Sequence, residues 1–132
     1  MGEKITNFRD LRIWQKSVDF VEKVYKITSD FPKTEVYGLV SQMQRAAVSV
    51  PSNIAEGFRR KHPLEYRQFL SISLGSCGEL ETQIEIAKRL GYIKEEQYRE
   101  LIDDLDYTCK MIQALIKKII TNTQDSRPKT HD

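Results

Sequence analysis

Apolar residues recur at steps of three and four along nearly the whole chain, the spacing that places them on one face of an α-helix. Four stretches show this spacing. Their apolar positions are, in order, Trp14, Val18, Val21 and Tyr25; Leu39, Met43, Ala46, Val50 and Ile54; Tyr66, Leu70, Cys77, Leu80 and Ile84; and Tyr98, Leu101, Leu105, Ile112 and Ile119. The pattern predicts four amphipathic helices that bury their apolar faces together. The residues expected in this shared core include Leu70, Leu80, Leu105 and Ile112.

Polar and special residues indicate where the helices begin and end. Asp10 is a suitable N-cap for the first helix, Pro63 suits the first turn of the third, and Gly91 suits the residue after its end. The connections expected at residues 29–34, 59–62 and 91–94 are short. Because short connections make consecutive helices antiparallel, the sequence predicts an all-α fold, an antiparallel up-down-up-down four-helix bundle.

Pro51 falls inside the second apolar stretch. Proline lacks an amide hydrogen and crowds the carbonyl of Ala47, so it bends or interrupts a helix. We expect a Pro-kinked second helix, with Ser49 and Ser52 able to partner the freed backbone groups. The alternative is that Pro51 divides this stretch into two helices.

The chain has 132 residues, of which 39% are hydrophobic and 30% charged, as in one soluble domain. We expect the bundle to occupy residues 1–122. Residues 123–132 contain no apolar side chain and are expected to form a disordered polar tail. The polar start of the chain and the lack of a long apolar run predict a cytoplasmic protein without a membrane partner. Cys77 and Cys109 are then expected to be reduced thiols.

Residues suited to catalysis are scarce. The only histidines are His62 and His131, and no glutamate has a histidine three residues later, as a di-iron bundle requires. We therefore expect no enzymatic activity, no metal and no cofactor. Gly75 and Gly78 interrupt the third helix at a cost of about 1 kcal/mol each, which predicts the close approach of a neighbouring helix.

Basic residues are concentrated in the first half of the chain. Residues 1–67 hold 12 Lys and Arg against 8 Asp and Glu, whereas residues 68–132 hold 9 against 11. The densest run, 59–61, reads Arg-Arg-Lys and falls in the connection between the second and third helices. In an antiparallel bundle this connection lies at the same end as Arg9 and Arg12. One end of the molecule is therefore expected to be basic and able to attract phosphates.

Several motifs resemble those of a known family. They are Phe8-Arg9-Asp10-Leu11 with Trp14-Gln15, Phe31-Pro32, Tyr37-Gly38-Leu39, the long run from Arg45 to Gly57 (Arg-Ala-Ala-Val-Ser-Val-Pro-Ser-Asn-Ile-Ala-Glu-Gly), Gly75-Ser76 with Glu79-Leu80-Glu81-Thr82-Gln83, and Leu90-Gly91-Tyr92. On these residues the chain resembles the bacterial four-helix bundles called 23S rRNA-intervening sequence proteins. The likeness covers roughly residues 8 to 120.

The resemblance implies properties that the hydrophobic pattern does not show. Relatives form ring-like homopentamers and have no established catalytic activity. A distant cousin, the accessory protein of diversity-generating retroelements, binds nucleic acid through a basic surface.

Within the long run, Pro51, Asn53, Glu56 and Gly57 read as a structural motif, in which Asn53 is expected to fix helix register. The family often has two basic residues before Ala46; here Gln44 replaces one and Arg45 remains.

These observations lead to one functional hypothesis and one alternative. The hypothesis is a noncatalytic, self-assembling bundle, most readily a homopentamer, that binds RNA or a nucleoprotein. The candidate phosphate contacts are Arg45, Arg59, Arg60, Lys61 and Arg67, with Arg9 and Arg12 secondary. The alternative is an oligomeric protein-interaction scaffold that binds no nucleic acid.

Overall fold

The computed structural model describes the backbone of residues 4–126 and the side chains of residues 4–119. Its four α-helices are α1 (Arg12–Thr28), α2 (Leu39–Arg59), α3 (Pro63–Arg89) and α4 (Glu95–Ser126). Two short 3₁₀ turns, Phe8–Asp10 and Lys33–Glu35, precede α1 and α2. The described part of the chain contains no β-strand. The all-α prediction is therefore confirmed.

Side-chain contacts show that neighbouring helices are antiparallel. Residues late in one helix meet residues early in the next, and α4 returns to pack against α1. The pairs that establish this are Thr28 with Gln44, Gly57 with Phe69, Glu85 with Tyr98, and Lys23 with Glu100. The molecule is thus the four-helix bundle that the short connections predict.

The helices share one core. Leu70 and Ile112 are fully buried, and Leu80 and Leu105 are at most 2% exposed. The predicted core positions are therefore confirmed. They belong to a single buried cluster to which all four helices contribute.

The ends of α3 follow the predicted signals. Pro63 is its first residue, and the Nδ1 of His62 accepts a hydrogen bond from the Leu64 amide at 3.2 Å. Gly91 has a φ of +79°, which glycine adopts without strain. Its amide and that of Tyr92 donate to the last carbonyls of α3, at 3.0 and 2.9 Å.

Three local expectations need correction. Asp10 does not cap α1: it belongs to the first 3₁₀ turn, which the Asn7 side chain caps by accepting from the Arg9 amide at 2.9 Å. The helix α2 continues through the buried Pro51 as one element, so the two-helix alternative is wrong. The helix α4 extends to Ser126, past the expected boundary at residue 122, because polar residues can continue a helix that a packed segment has begun. Residues 127–132 of the expected tail lie outside the described residues.

Candidate nucleic-acid interface

The start of α1, the end of α2 and the start of α3 meet at one end of the bundle. Only Arg60, Lys61 and His62 separate α2 from α3, so the basic run is held at this turn. The Arg60 amide donates to the Gly57 carbonyl at 3.1 Å. The backbone of Arg60 is extended, and the chain leaves α2 at this residue. We call this surface the basic end. It comprises Arg9, Arg12, Arg59, Arg60, Lys61 and Arg67.

A small pocket opens in the basic end around the ring of Phe8. The guanidinium carbons of Arg9 and Arg59 lie 4.8 and 5.3 Å from the centroid of this ring. Lys61 and Phe58 complete the walls, and the open volume is about 320 Å³. We call it the Phe8 pocket. It brings three of the predicted phosphate contacts onto one feature, although they come from two separate parts of the sequence.

The cations of the Phe8 pocket have no carboxylate partner within 4 Å among the described side chains. None of the Asp and Glu residues that the structure describes lines the pocket. The positive charges of Arg9, Arg59 and Lys61 are consequently available to an outside anion.

Arg60 is arranged differently from its neighbours. Its guanidinium lies 2.7 Å from a Glu56 carboxylate oxygen and 3.8 Å from one of Glu65, and it stacks near the ring of Phe69. These carboxylates offset its charge. Arg60 is therefore less available to an outside anion than Arg9, Arg59 and Lys61.

The remaining predicted contacts are spread out. Arg45 is exposed, but it precedes Arg59 by fourteen positions on α2, roughly 21 Å along the helix. It is therefore not part of the basic end. Arg12 is exposed at the start of α1, and Arg67 is half-buried on the first turns of α3. Neither lines the Phe8 pocket.

Contributions from α4 and from aromatic residues are not among the contacts predicted from the sequence. Up to residue 106 the charges of α4 are mostly acidic, and from Lys110 to Lys118 they are basic. Lys110 and Lys117 line a groove of about 670 Å³ opposite Leu74 of α3. Since α4 is antiparallel to α3, its basic half, residues 110–118, runs toward the basic end. The predicted up-down-up-down topology already implied this direction. Phe8 carried no comparable signal, because its neighbour Arg59 is distant in sequence.

The structural motif of α2 has a packing role. Asn53 Nδ2 donates to the Ser49 carbonyl and hydroxyl at 2.9 and 3.0 Å, and that hydroxyl accepts from Ser76 of α3 at 2.8 Å. Asn53 thus belongs to a hydrogen-bond network that links α2 to α3 through Ser49. Ser49 is therefore engaged in this network. Gly57 is buried against Tyr66 and Phe69, and a Cβ there would lie 2.9 Å from the Phe69 Cβ.

Gly75 and Gly78 do not serve the predicted approach of a helix within this chain. A Cβ at either position meets no atom within 4 Å, because both glycines lie on the outer side of α3. The same side carries large apolar residues that are 43–54% exposed: Leu64, Ile72, Ile86 and Leu90. We call this surface the α3 face.

Among the described residues outside the Phe8 pocket, two thiols and a tyrosine have pKa values shifted by their surroundings. Cys77 and Cys109 are free thiols that face each other between α3 and α4. A hydrogen bond with Cys109 and burial raise the pKa of Cys77, whereas the same hydrogen bond lowers the pKa of Cys109. Burial raises the pKa of Tyr66 to about 12.

Across the described residues no cluster of His, Cys, Asp and Glu is suited to a metal ion. None of the described helices is both long and apolar enough to span a membrane.

Comparisons with other proteins agree with the fold. A search of curated proteins finds no match to the chain. A crystal structure from Bacteroides thetaiotaomicron, of a protein of unknown function from the S23 ribosomal protein family, superposes with a TM-score of 0.74 at 24% identity. The match covers 80% of this chain and 95% of that one, and shows the shared fold. The model of the 23S rRNA-intervening sequence protein family matches residues 9–114. With most of the bundle inside that match, the chain belongs to the 23S rRNA-intervening sequence protein family.

Proposed function

We propose that this protein is a noncatalytic, self-assembling helical bundle that binds RNA, alone or within a nucleoprotein, through its basic end. The observation that carries the proposal is the grouping of Arg9, Arg59 and Lys61 around Phe8, with no carboxylate beside them among the described residues. Phosphate oxygens are the natural partners of such a group, because Arg and Lys bind them with displacement of counterions.

The distribution of charge favours this end over the opposite one. At the opposite end, residues 26–35 and 85–100 together hold six Lys and Arg against six Asp and Glu, so the charges there balance. Of these cations, Lys88, Arg89 and Arg99 each lie 2.9–3.2 Å from a carboxylate oxygen. Their charges are offset within the chain, as is that of Arg60. The basic end is therefore the more attractive surface for a polyanion.

Self-assembly is proposed through the α3 face, and the occupant is a second copy of the chain. Two glycines inside a helix lower its stability, and Gly75 and Gly78 have no neighbour that repays this within the described chain. A helix from another copy can approach closely at such positions, and Ile72 and Ile86 beside them supply apolar area. We favour a homopentamer, in which each copy adds one basic end to a common rim.

The alternative function is a ring that presents a surface to another protein and binds no nucleic acid. Exposed apolar side chains outside the α3 face, such as Val36 and Tyr37, are the observation that favours it. Direct measurement of RNA binding separates the two functions.

The test compares RNA affinity across a range of salt concentrations for three proteins. These are the wild type, the triple variant R9Q/R59Q/K61Q, and the control K26Q/K33Q/K94Q, which removes the same charge from the other end. We expect the triple variant to bind more weakly and its log–log salt slope to fall by about 2, since each single-strand phosphate contact contributes about 0.7. The control should retain most of the affinity.

Affinity should fall to a similar extent for unrelated sequences, because phosphate contacts carry no base information. Equal losses in both variants would show that only net charge matters and would remove the basic end from consideration. If the wild type binds no RNA even at low salt, the RNA-binding function is wrong and the scaffold function is favoured. Light scattering tests the assembly separately: a particle with the mass of one 15.4 kDa chain at micromolar concentration would reject the homopentamer.

A further inference from the structure

The Phe8 pocket combines cations with two kinds of group that a simple phosphate site does not need. It has aromatic rings (Phe8 and Phe58), cations (Arg9, Arg59 and Lys61) and small polar side chains (Thr6 and Asn7). A patch that only attracts phosphates requires the cations alone. The aromatic and polar groups call for a ligand that also has a flat apolar face and hydrogen-bonding edges.

We propose that the Phe8 pocket receives one unpaired nucleotide of an RNA strand, with the base against the Phe8 and guanidinium surfaces and the phosphate near Lys61. This inference rests on the proposed function and specifies its ligand: single-stranded RNA, or an unpaired loop, bulge or end. Bases that are free of a duplex are bound in proteins on aromatic rings and on guanidinium planes.

The geometry of the pocket supports a single nucleotide. Its volume of about 320 Å³ lies at the small end of the roughly 300–1,000 Å³ common for ligand pockets. The Arg9 and Arg59 guanidiniums already lie within 4.8 and 5.3 Å of the Phe8 centroid, so ring and cations are held together before a ligand arrives. A base in an intact duplex is stacked and paired and cannot enter such a pocket.

The polar groups can contact the edge of a base. Asn7 Oδ1 accepts from the Arg9 amide at 2.9 Å, which orients the side chain. Its amide group keeps hydrogen-bond donors, and the hydroxyl of Thr6 can both donate and accept. The pocket is therefore equipped for an edge with acceptors as well as for a flat face.

Trp14 provides a built-in reporter of this site. It is the only tryptophan of the chain, and its ring centroid lies 5.2 Å from that of Phe8. A base bound beside Phe8 should quench the fluorescence of Trp14, whereas RNA bound elsewhere on the surface should not.

The experiment measures binding and Trp14 quenching at low salt with three probes of equal length. They are ten linked adenosines, the same strand in an RNA duplex, and a ten-unit abasic ribose-phosphate chain. We expect the adenosine strand to bind roughly five- to hundredfold more tightly than the abasic chain, the range that stacking of a base produces. Only the adenosine strand should quench Trp14. Free adenosine monophosphate at millimolar concentration should quench it too, which would separate occupancy by a nucleotide from avidity of a strand.

Three variants complete the test. F8L should lower adenosine-strand affinity to that of the abasic chain and leave abasic binding unchanged, and F8Y, which keeps a ring, should restore the preference. Y37L removes an aromatic ring that is 97% exposed at the other end and should change nothing. Circular dichroism establishes that each variant is folded; if F8L is not, F58L replaces it.

Equal affinity for the adenosine strand and the abasic chain would overturn this inference and leave the proposed function intact. Equal weakening of both probes by F8L would overturn it in the same way. Failure of every probe to bind would overturn the proposed function and this inference together.

Discussion

Gly57 occupies the closest approach between α2 and α3. A Cβ at this position would lie 2.9 Å from the Cβ of Phe69 and 3.1 Å from the carbonyl oxygen of Tyr66. Both atoms are held rigidly, because the Tyr66 oxygen belongs to the backbone and the Phe69 Cβ is bonded directly to it. The glycine thus lets the end of α2, which carries Arg59, pack directly on the start of α3.

Replacement of Gly57 by alanine should therefore destabilise the bundle, although alanine favours helices. We expect a loss of about 1–3 kcal/mol, typical of overpacking in a core. Urea denaturation followed by circular dichroism measures the change. A gain in stability, which helix propensity alone would give, would contradict the close contact.

Glu35 ties the α1–α2 connection to the turn between α3 and α4. It accepts from the Leu39 amide at 3.0 Å and from the Tyr92 hydroxyl at 2.8 Å. These two hydrogen bonds, chiefly the one from the Leu39 amide, lower the pKa of Glu35 below its ordinary value of 4.5. The charged carboxylate is thus favoured in the folded state.

A lowered folded-state pKa gives stability that is present above the unfolded pKa and is lost as the pH falls through the folded one. We therefore expect acid to destabilise the wild type below about pH 4.5 more steeply than E35Q, which has no such charge to protonate. Thermal melts between pH 6 and pH 3 measure this difference. Parallel curves for the two proteins would show that Glu35 is not held in its charged form.

The element that departs most from expectation is α3. Gly75 and Gly78 predicted that a neighbouring helix packs closely on α3. Within the described chain both positions are open, whereas Gly57 of α2 does lie against a neighbouring helix, α3. Sequence alone cannot separate these cases. A glycine signals the absence of a side chain, and which neighbour uses that space depends on three-dimensional packing.

Alanine at Gly75 and Gly78 distinguishes an open surface from an assembly contact. On an open helix surface, each substitution should stabilise the folded chain by about 1 kcal/mol. If a second copy packs there, the double variant G75A/G78A should instead weaken the oligomer. Sedimentation at several protein concentrations reads the assembly, and denaturation reads the chain. An unchanged oligomer together with higher stability would place the contact elsewhere.

The fold as a whole was largely predictable because its determinants are local. Helical spacing, Pro63 and Gly91 act within a few residues, and short connections fix the antiparallel order. The site was less predictable. The basic run at residues 59–61 could be located, but the pairing of Arg60 with Glu65 and the stacking of Arg59 on Phe8 join residues far apart in the sequence or across a turn.

The arrangement of charge also gives the molecule an electric dipole. The basic half of α4 and the cations near Phe8 lie toward one end, and the acidic half of α4 lies toward the other. In the field of a polyanion such a dipole experiences a torque, so the protein would approach with its basic end leading. The association would be faster at low ionic strength, because salt screens this field less there. In a ring of identical copies, the components across the symmetry axis cancel and those along it add. Any tilt of the bundles out of the ring plane would therefore give the whole assembly one positive pole.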